Sequence, residues 1–176
     1  MADDYLANIK FLIVEDNAFI TVVLRGVLRA LGCRNTMIAS DGAQALKLMR
    51  LANPDIVITD WEMQPIDGVE FAKMVRTASD SSNPLVPIIM LSGHSEARRV
   101  LAARDAGVNE FVVKPVSAAN LLSRIQSVIE RPGPYIRTNS FFSPDRRRKQ
   151  LPYQGPDQRA GGAAGTPNAA AKVPIA

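Results

Sequence analysis

Ile56-Val57-Ile58-Thr59-Asp60-Trp61-Glu62-Met63 carries the plainest structural signal in the chain. Four β-branched residues stand in unbroken succession, too short a run for a helix and without strand-like alternation. That is the pattern of a strand buried on both faces of a parallel sheet. The run ends on an acid, Asp60. In an open α/β sheet ligands bind just beyond the carboxyl ends of the strands, so Asp60 stands where chemistry is expected.

Working outward, four similar segments flank it: Phe11-Leu12-Ile13-Val14, Thr36-Met37-Ile38-Ala39, Val86-Pro87-Ile88-Ile89-Met90-Leu91 and Glu110-Phe111-Val112-Val113. Between them the apolar period changes to three or four. Ile20, Val23, Leu24, Val27, Leu28 and Leu31 share one face of a first helix, with Gly32 as its stop. Leu121, Leu122, Ile125, Val128 and Ile129 form the inner face of a last helix after Ser117. Asp41 and Ser95 are expected to cap the second and fourth helices, and Gly107 to close the fourth. Five strands alternating with five helices predict a doubly wound (βα)5 α/β domain over residues 1–130.

Beyond residue 130 the composition changes. Residues 1–130 hold 13 Lys+Arg against 15 Asp+Glu, a net −2, whereas residues 131–176 hold 8 against 2, a net +6. The sequence pI near 9.5 therefore describes the tail and not the domain. Arg131-Pro132-Gly133-Pro134 ends the last helix, and 12 of the last 46 residues are Pro or Gly. Residues 131–176 are accordingly expected to be a basic, largely disordered tail. No apolar run reaches the roughly 18–20 residues of a membrane span. The acidic start is unlike a secretory signal, and the lone Cys33 allows no internal disulfide. A cytoplasmic protein is expected.

The strand ends carry the chemistry. The first strand ends in Glu15-Asp16, the third in Asp60, the fourth in Ser92-Gly93 and the fifth in Lys114-Pro115. Singly, each has an ordinary explanation as a turn residue, a cap or a solvated charge. Together they place carboxylates, a hydroxyl and an ammonium at one sheet edge. Carboxylates that converge repel unless a cation lies between them, and hard oxygen donors with open positions suit Mg²⁺. The hydroxyl and ammonium can hold phosphoryl oxygens while the central carboxylate, Asp60, attacks in line.

On Leu12-Ile13-Val14-Glu15-Asp16, Ile58-Thr59-Asp60-Trp61-Glu62-Met63, Ile89-Met90-Leu91-Ser92-Gly93 and Val112-Val113-Lys114-Pro115, the chain resembles the CheY-like receiver domain of bacterial two-component response regulators. The resemblance covers residues 8–130. It implies a flavodoxin-like strand order 2-1-3-4-5 and a phosphorelay signalling role rather than that of an enzyme. It implies that Asp60 accepts a phosphoryl group from a histidine kinase or phosphotransfer protein, assisting its own phosphorylation and dephosphorylation. Asp16, Asp60 and the Glu62 backbone carbonyl would bind Mg²⁺, with Glu15 helping through water, and Ser92 and Lys114 would contact the phosphoryl group. A cis Lys114–Pro115 bond is also implied. Ser92 and Phe111 would form the switch, and the fourth helix, fifth strand and fifth helix, with Arg98, Arg99 and Arg104, would meet a downstream protein. One departure stands out: Met63-Gln64-Pro65 sets the family's proline one residue late.

Other readings use the same residues. An intermediate carrier in a relay needs the same pocket. A haloacid-dehalogenase-like phosphatase would carry its Asp-x-Asp on the first strand, whereas Glu15-Asp16 stands there. A receiver-like adaptor would lack a pocket residue. In the tail, Phe141, Phe142, Arg146, Arg147 and Arg148 mark a protein-docking motif within Ser140–Lys149, with nucleic acid or an anionic surface as the alternative. No second globular domain is expected after residue 130, and hence no DNA-binding module.

Overall fold

The strand predicted around Asp60 is β3 (Ile56–Asp60), and all five of its residues are buried. In the computed structural model, which describes residues 4–130, 135–138, 141–144 and 171–173, β3 is the middle strand of a five-stranded parallel sheet. The others are β1 (Lys10–Val14), β2 (Asn35–Ala39), β4 (Ile88–Ser92) and β5 (Glu110–Val113). Their order, β2-β1-β3-β4-β5, is the order that the resemblance implies. The helices are α1 (Ala18–Ala30), α2 (Gly42–Ala52), α3 (Gly68–Thr77), α4 (Ala97–Asp105) and α5 (Ala118–Glu130).

Alternate residues of each strand sort to opposite faces, as a pleated strand requires. Phe11, Ile13, Ile56, Ile58, Ile89 and Leu91 pack with Leu24 and Leu28 of α1 and Leu121, Ile125 and Val128 of α5. Leu12, Val14, Val57, Ile88 and Met90 pack with Ala45 and Met49 of α2, Phe71 and Val75 of α3, and Ala103 of α4. Two apolar layers cover the faces of the sheet, and their packing positions the strand ends.

Short side chains fix where the helices start. Asn17 accepts from the Phe19 and Ile20 amides, Asp41 from Gln44, Asp67 from Glu70, and Ser117 from Asn120. Gly32 and Gly107 follow α1 and α4 with φ of 92° and 90°. The cap expected at Ser95 is absent: α4 starts one residue later, and its N-cap, Glu96, makes no side-chain capping bond. Val23 also differs from expectation. It lies about 100° around the helix from Leu24 and is 41% exposed, beside Phe19 (75%) and Val22 (65%).

Gly68 has a specific task. A Cβ there would collide with the Asp60 carbonyl, so glycine lets the start of α3 close against the end of β3. Arg76 of α3 is buried and donates to the carbonyls of Gly107 (3.0 Å) and Pro84 (2.8 Å) and to Asn109 Oδ1 (3.0 Å). That ties α3 to the turn between α4 and β5.

Tail segments β6 (Tyr135–Thr138), β7 (Phe141–Pro144) and β8 (Ala171–Val173) form an antiparallel sheet, β7-β6-β8, and β7 runs beside α3 and α4. Their aromatic and β-branched residues favour pairing. The basic run Arg146, Arg147 and Arg148 lies outside the described residues. Among those described, no helix is long and apolar enough to cross a membrane.

Two glycines should respond oppositely to alanine in urea unfolding. Gly68→Ala should destabilise by about 1–3 kcal/mol through the collision at Asp60. Gly26→Ala, in α1 with no atom near its added methyl, should stabilise by about 0.5–1 kcal/mol. A harmless Gly68→Ala would contradict the close approach.

Candidate functional site

Register brings the strand ends to one edge. Val14 pairs with Thr59, Asp60 with Leu91, and Ser92 with Val113, so Glu15, Asp60, Ser92 and Lys114 each end a strand or directly follow one. Lys114 Nζ lies 2.8 Å from Asp60 Oδ1 and 3.2 Å from Glu15 Oε2. Asp60, Glu15 and Ser92 are buried, while Asp16 and the mouth residues Glu62 and His94 are exposed.

Backbone bonds set this geometry. The Lys114 amide donates to the Ser92 carbonyl (2.7 Å), carrying the β4–β5 ladder one residue past the strands. The Trp61 amide donates to Leu91, and Gly68 donates to the Trp61 carbonyl, fixing the exit of β3. Asn17 donates its amide to Glu15 Oε1 at 3.2 Å. Lys114–Pro115 is cis, as the resemblance implies, and Gln64–Pro65 is cis as well.

Burial raises the Glu15 carboxyl pKa, and the nearby Asp60 carboxylate raises it further against the opposing pull of Lys114. For Lys114, burial alone would lower the pKa. Its hydrogen bond and charge attraction to Asp60, helped by Glu15, outweigh that and hold it above the ordinary value. One ammonium thus serves two buried carboxylates, with Asp16 next in sequence to the first. Two carboxylates against one ammonium leave a net negative charge at the open end of the sheet. Among the described residues no three His, Cys, Asp or Glu side chains group into a metal cage. Carboxylates open to water are the donor type that Mg²⁺ takes, one or two at a time, completing its shell with water and phosphate oxygens.

The Ser92 hydroxyl accepts the His94 amide at 3.1 Å. Phe111 is half-buried, its ring edge-on to Trp61 at 6.4 Å between centroids. Arg98 and Arg104 are exposed on α4. Sequence reasoning missed the contacts at the mouth. Glu62 is bonded to Arg99 Nη1 at 2.9 Å, and the Arg99 guanidinium lies 5.3 Å from the Trp61 ring centroid. Arg99 was legible only as a surface residue of α4, because its partner is 37 residues away.

The sequence profile of the response regulator receiver domain matches residues 11–126. Chemotaxis protein CheY-3 of Vibrio cholerae is 34% identical over 124 residues, covering 70% of this chain and 94% of the relative. Chemotaxis protein CheY of Pseudomonas aeruginosa is 34% identical over 122 residues, covering 69% and 97%. Among solved structures, Vibrio cholerae CheY4 superposes with a TM-score of 0.63 at 30% identity, covering 69% of this chain and 98% of that one. The receiver domain of the sensor histidine kinase PA1611 from Pseudomonas aeruginosa does so with 0.61 at 28% identity, covering 68% and 96%. That structure holds a magnesium ion coordinated in its active-site cleft.

The raised Glu15 pKa has a testable sign. A carboxyl whose pKa is higher in the folded than in the unfolded chain favours folding when protonated and opposes it when ionised. Glu15→Gln should therefore raise Tm at pH 7 in metal-free buffer, with the gain fading as pH falls through the raised folded-state pKa and gone below the ordinary value of 4.5. A lower Tm at pH 7 would contradict the charge assignment.

Proposed function

This chain belongs to the response regulator receiver family, and on that footing we propose that it is a phosphorylation switch with Asp60 as phosphoacceptor. The observation that carries the reading is Lys114 Nζ at 2.8 Å from the buried Asp60 carboxylate, with Ser92 ending the adjacent strand. A phosphohistidine on a histidine kinase or phosphotransfer protein is the donor. An Asp60 oxygen attacks phosphorus, the P–N bond breaks with its electron pair returning to the imidazole, and an acyl phosphate forms. Water later attacks phosphorus, which releases inorganic phosphate and restores Asp60.

Mg²⁺, held by Asp16, Asp60 and the Glu62 carbonyl with Glu15 through water, would supply positive charge to the transferring phosphoryl oxygens. Lys114 stabilises those oxygens from the other side and orients Asp60 through their hydrogen bond. Ser92 turns its hydroxyl toward the phosphoryl group. The modification adds about −1.5 to −2 charge and three acceptor oxygens at a buried site. Ser92 and Phe111 transmit the change to the face of α4, β5 and α5, where a downstream protein binds. A decisive switch requires phosphate to favour the active state about 10⁴-fold.

The donor reaches Asp60 across α1. This helix starts at Asn17, whose amide is bonded to Glu15, so its first turns rise from the pocket rim. They present the exposed strip Phe19, Val22 and Val23, an apolar surface suited to the donor's own helices.

Phosphotransfer from candidate histidine kinases, followed with radiolabelled ATP, tests both statements. Wild type should be labelled and Asp60→Asn should not. Replacing Phe19 and Val22 by alanine should slow labelling by the kinase roughly tenfold and leave labelling by acetyl phosphate unchanged. Undiminished labelling of Asp60→Asn would overturn the phosphoacceptor. Undiminished kinase labelling of the α1 variant would remove the docking strip.

A further inference from the structure

The mouth of the pocket is tied to α4 by one side chain. Arg99 Nη1 is 2.9 Å from Glu62 Oε1, and its guanidinium stacks over Trp61 at 5.3 Å. Trp61 in turn meets the Phe111 ring edge-on, with an interplanar angle of 80°. His94 Nε2 approaches the same Glu62 oxygen at 3.5 Å, and the His94 amide is held by Ser92 Oγ. The Arg99 hydrogen bond is the main reason that the Glu62 carboxyl sits below the usual carboxylate range. Arg99 thus touches both residues that follow Asp60 and, through Trp61, the aromatic on β5.

We propose that Arg99 is a positioning residue that clasps the resting arrangement, holding Glu62 and Trp61 over the pocket and Phe111 behind them until a phosphoryl group arrives. The inference rests on Asp60 being the phosphoacceptor. Its logic lies in the bond between Ser92 and the chain that leads to α4. Ser92 Oγ accepts the His94 amide at 3.1 Å, so a Ser92 side chain that moves toward a phosphoryl group at Asp60 draws that amide with it. His94 leads within three residues to α4, so the start of that helix moves with it. That movement draws Arg99 away from Glu62 and Trp61, which frees Phe111 to move.

A contact made in only one of two states opposes any ligand that prefers the other. Removing the clasp should therefore tighten binding of a phosphoryl mimic. Simple electrostatics predicts the reverse, because loss of a positive charge near the pocket weakens an anion's affinity. The sign separates the two.

Trp61 is the single tryptophan of the chain and reports directly. Beryllofluoride is titrated with Mg²⁺ into wild type, Arg99→Gln and Arg99→Lys while emission is followed, with circular dichroism checking that the helices are intact. Arg99→Gln should bind about fivefold tighter, the factor that an exposed ion pair and a cation–π contact amount to together. Without ligand its spectrum should already be displaced toward that of liganded wild type. Arg99→Lys keeps the charge but not the planar stacking, and should fall between. Weaker or unchanged binding by Arg99→Gln, while wild type responds, would overturn the clasp. A wild type that does not bind beryllofluoride at all would instead count against Asp60 as phosphoacceptor.

Discussion

Two buried carboxylates share one ammonium at the edge of the sheet, and the rest of the structure is arranged around that shortage of positive charge. Lys114 reaches both Asp60 and Glu15, yet Glu15 remains a strained anion whose pKa burial and Asp60 push upward. Such an arrangement is costly in a closed core. At the carboxyl end of a parallel sheet it stands where this architecture places its ligands. The same excess of negative charge is what would draw Mg²⁺ and, with it, a phosphoryl group.

The scaffold keeps these groups from relaxing apart. β3 and β4 are buried along their whole length, and the helices on each side pack against alternate residues. Gly68 lets α3 close on the Asp60 carbonyl, and Arg76 fastens α3 to the turn that launches β5. The β4–α4 connection has fewer ties: Glu96 makes no side-chain capping bond, and the Ser92 hydroxyl accepts the His94 amide.

Much of this was legible in the sequence because it is local. Unbroken apolar runs gave the strands, and helical spacing gave the faces turned inward. An acid, a hydroxyl or a lysine at a strand end announced the pocket before any register was known. Where reading failed, the cause was geometric. Val23 sits at the margin of the apolar stripe, where one step around the helix decides burial from exposure. Ser95 has the chemistry of a cap but stands one residue outside the helix. The link from Glu62 through Arg99 to Trp61 depends on how α4 docks, and no local pattern encodes that.

The charge shortage itself is open to direct measurement by calorimetric titration of Mg²⁺ into wild type, Asp16→Asn and Asp60→Asn. Wild type should bind Mg²⁺ saturably at one site, with each substitution weakening binding at least tenfold. Equal heats in all three proteins, or none in wild type, would contradict it.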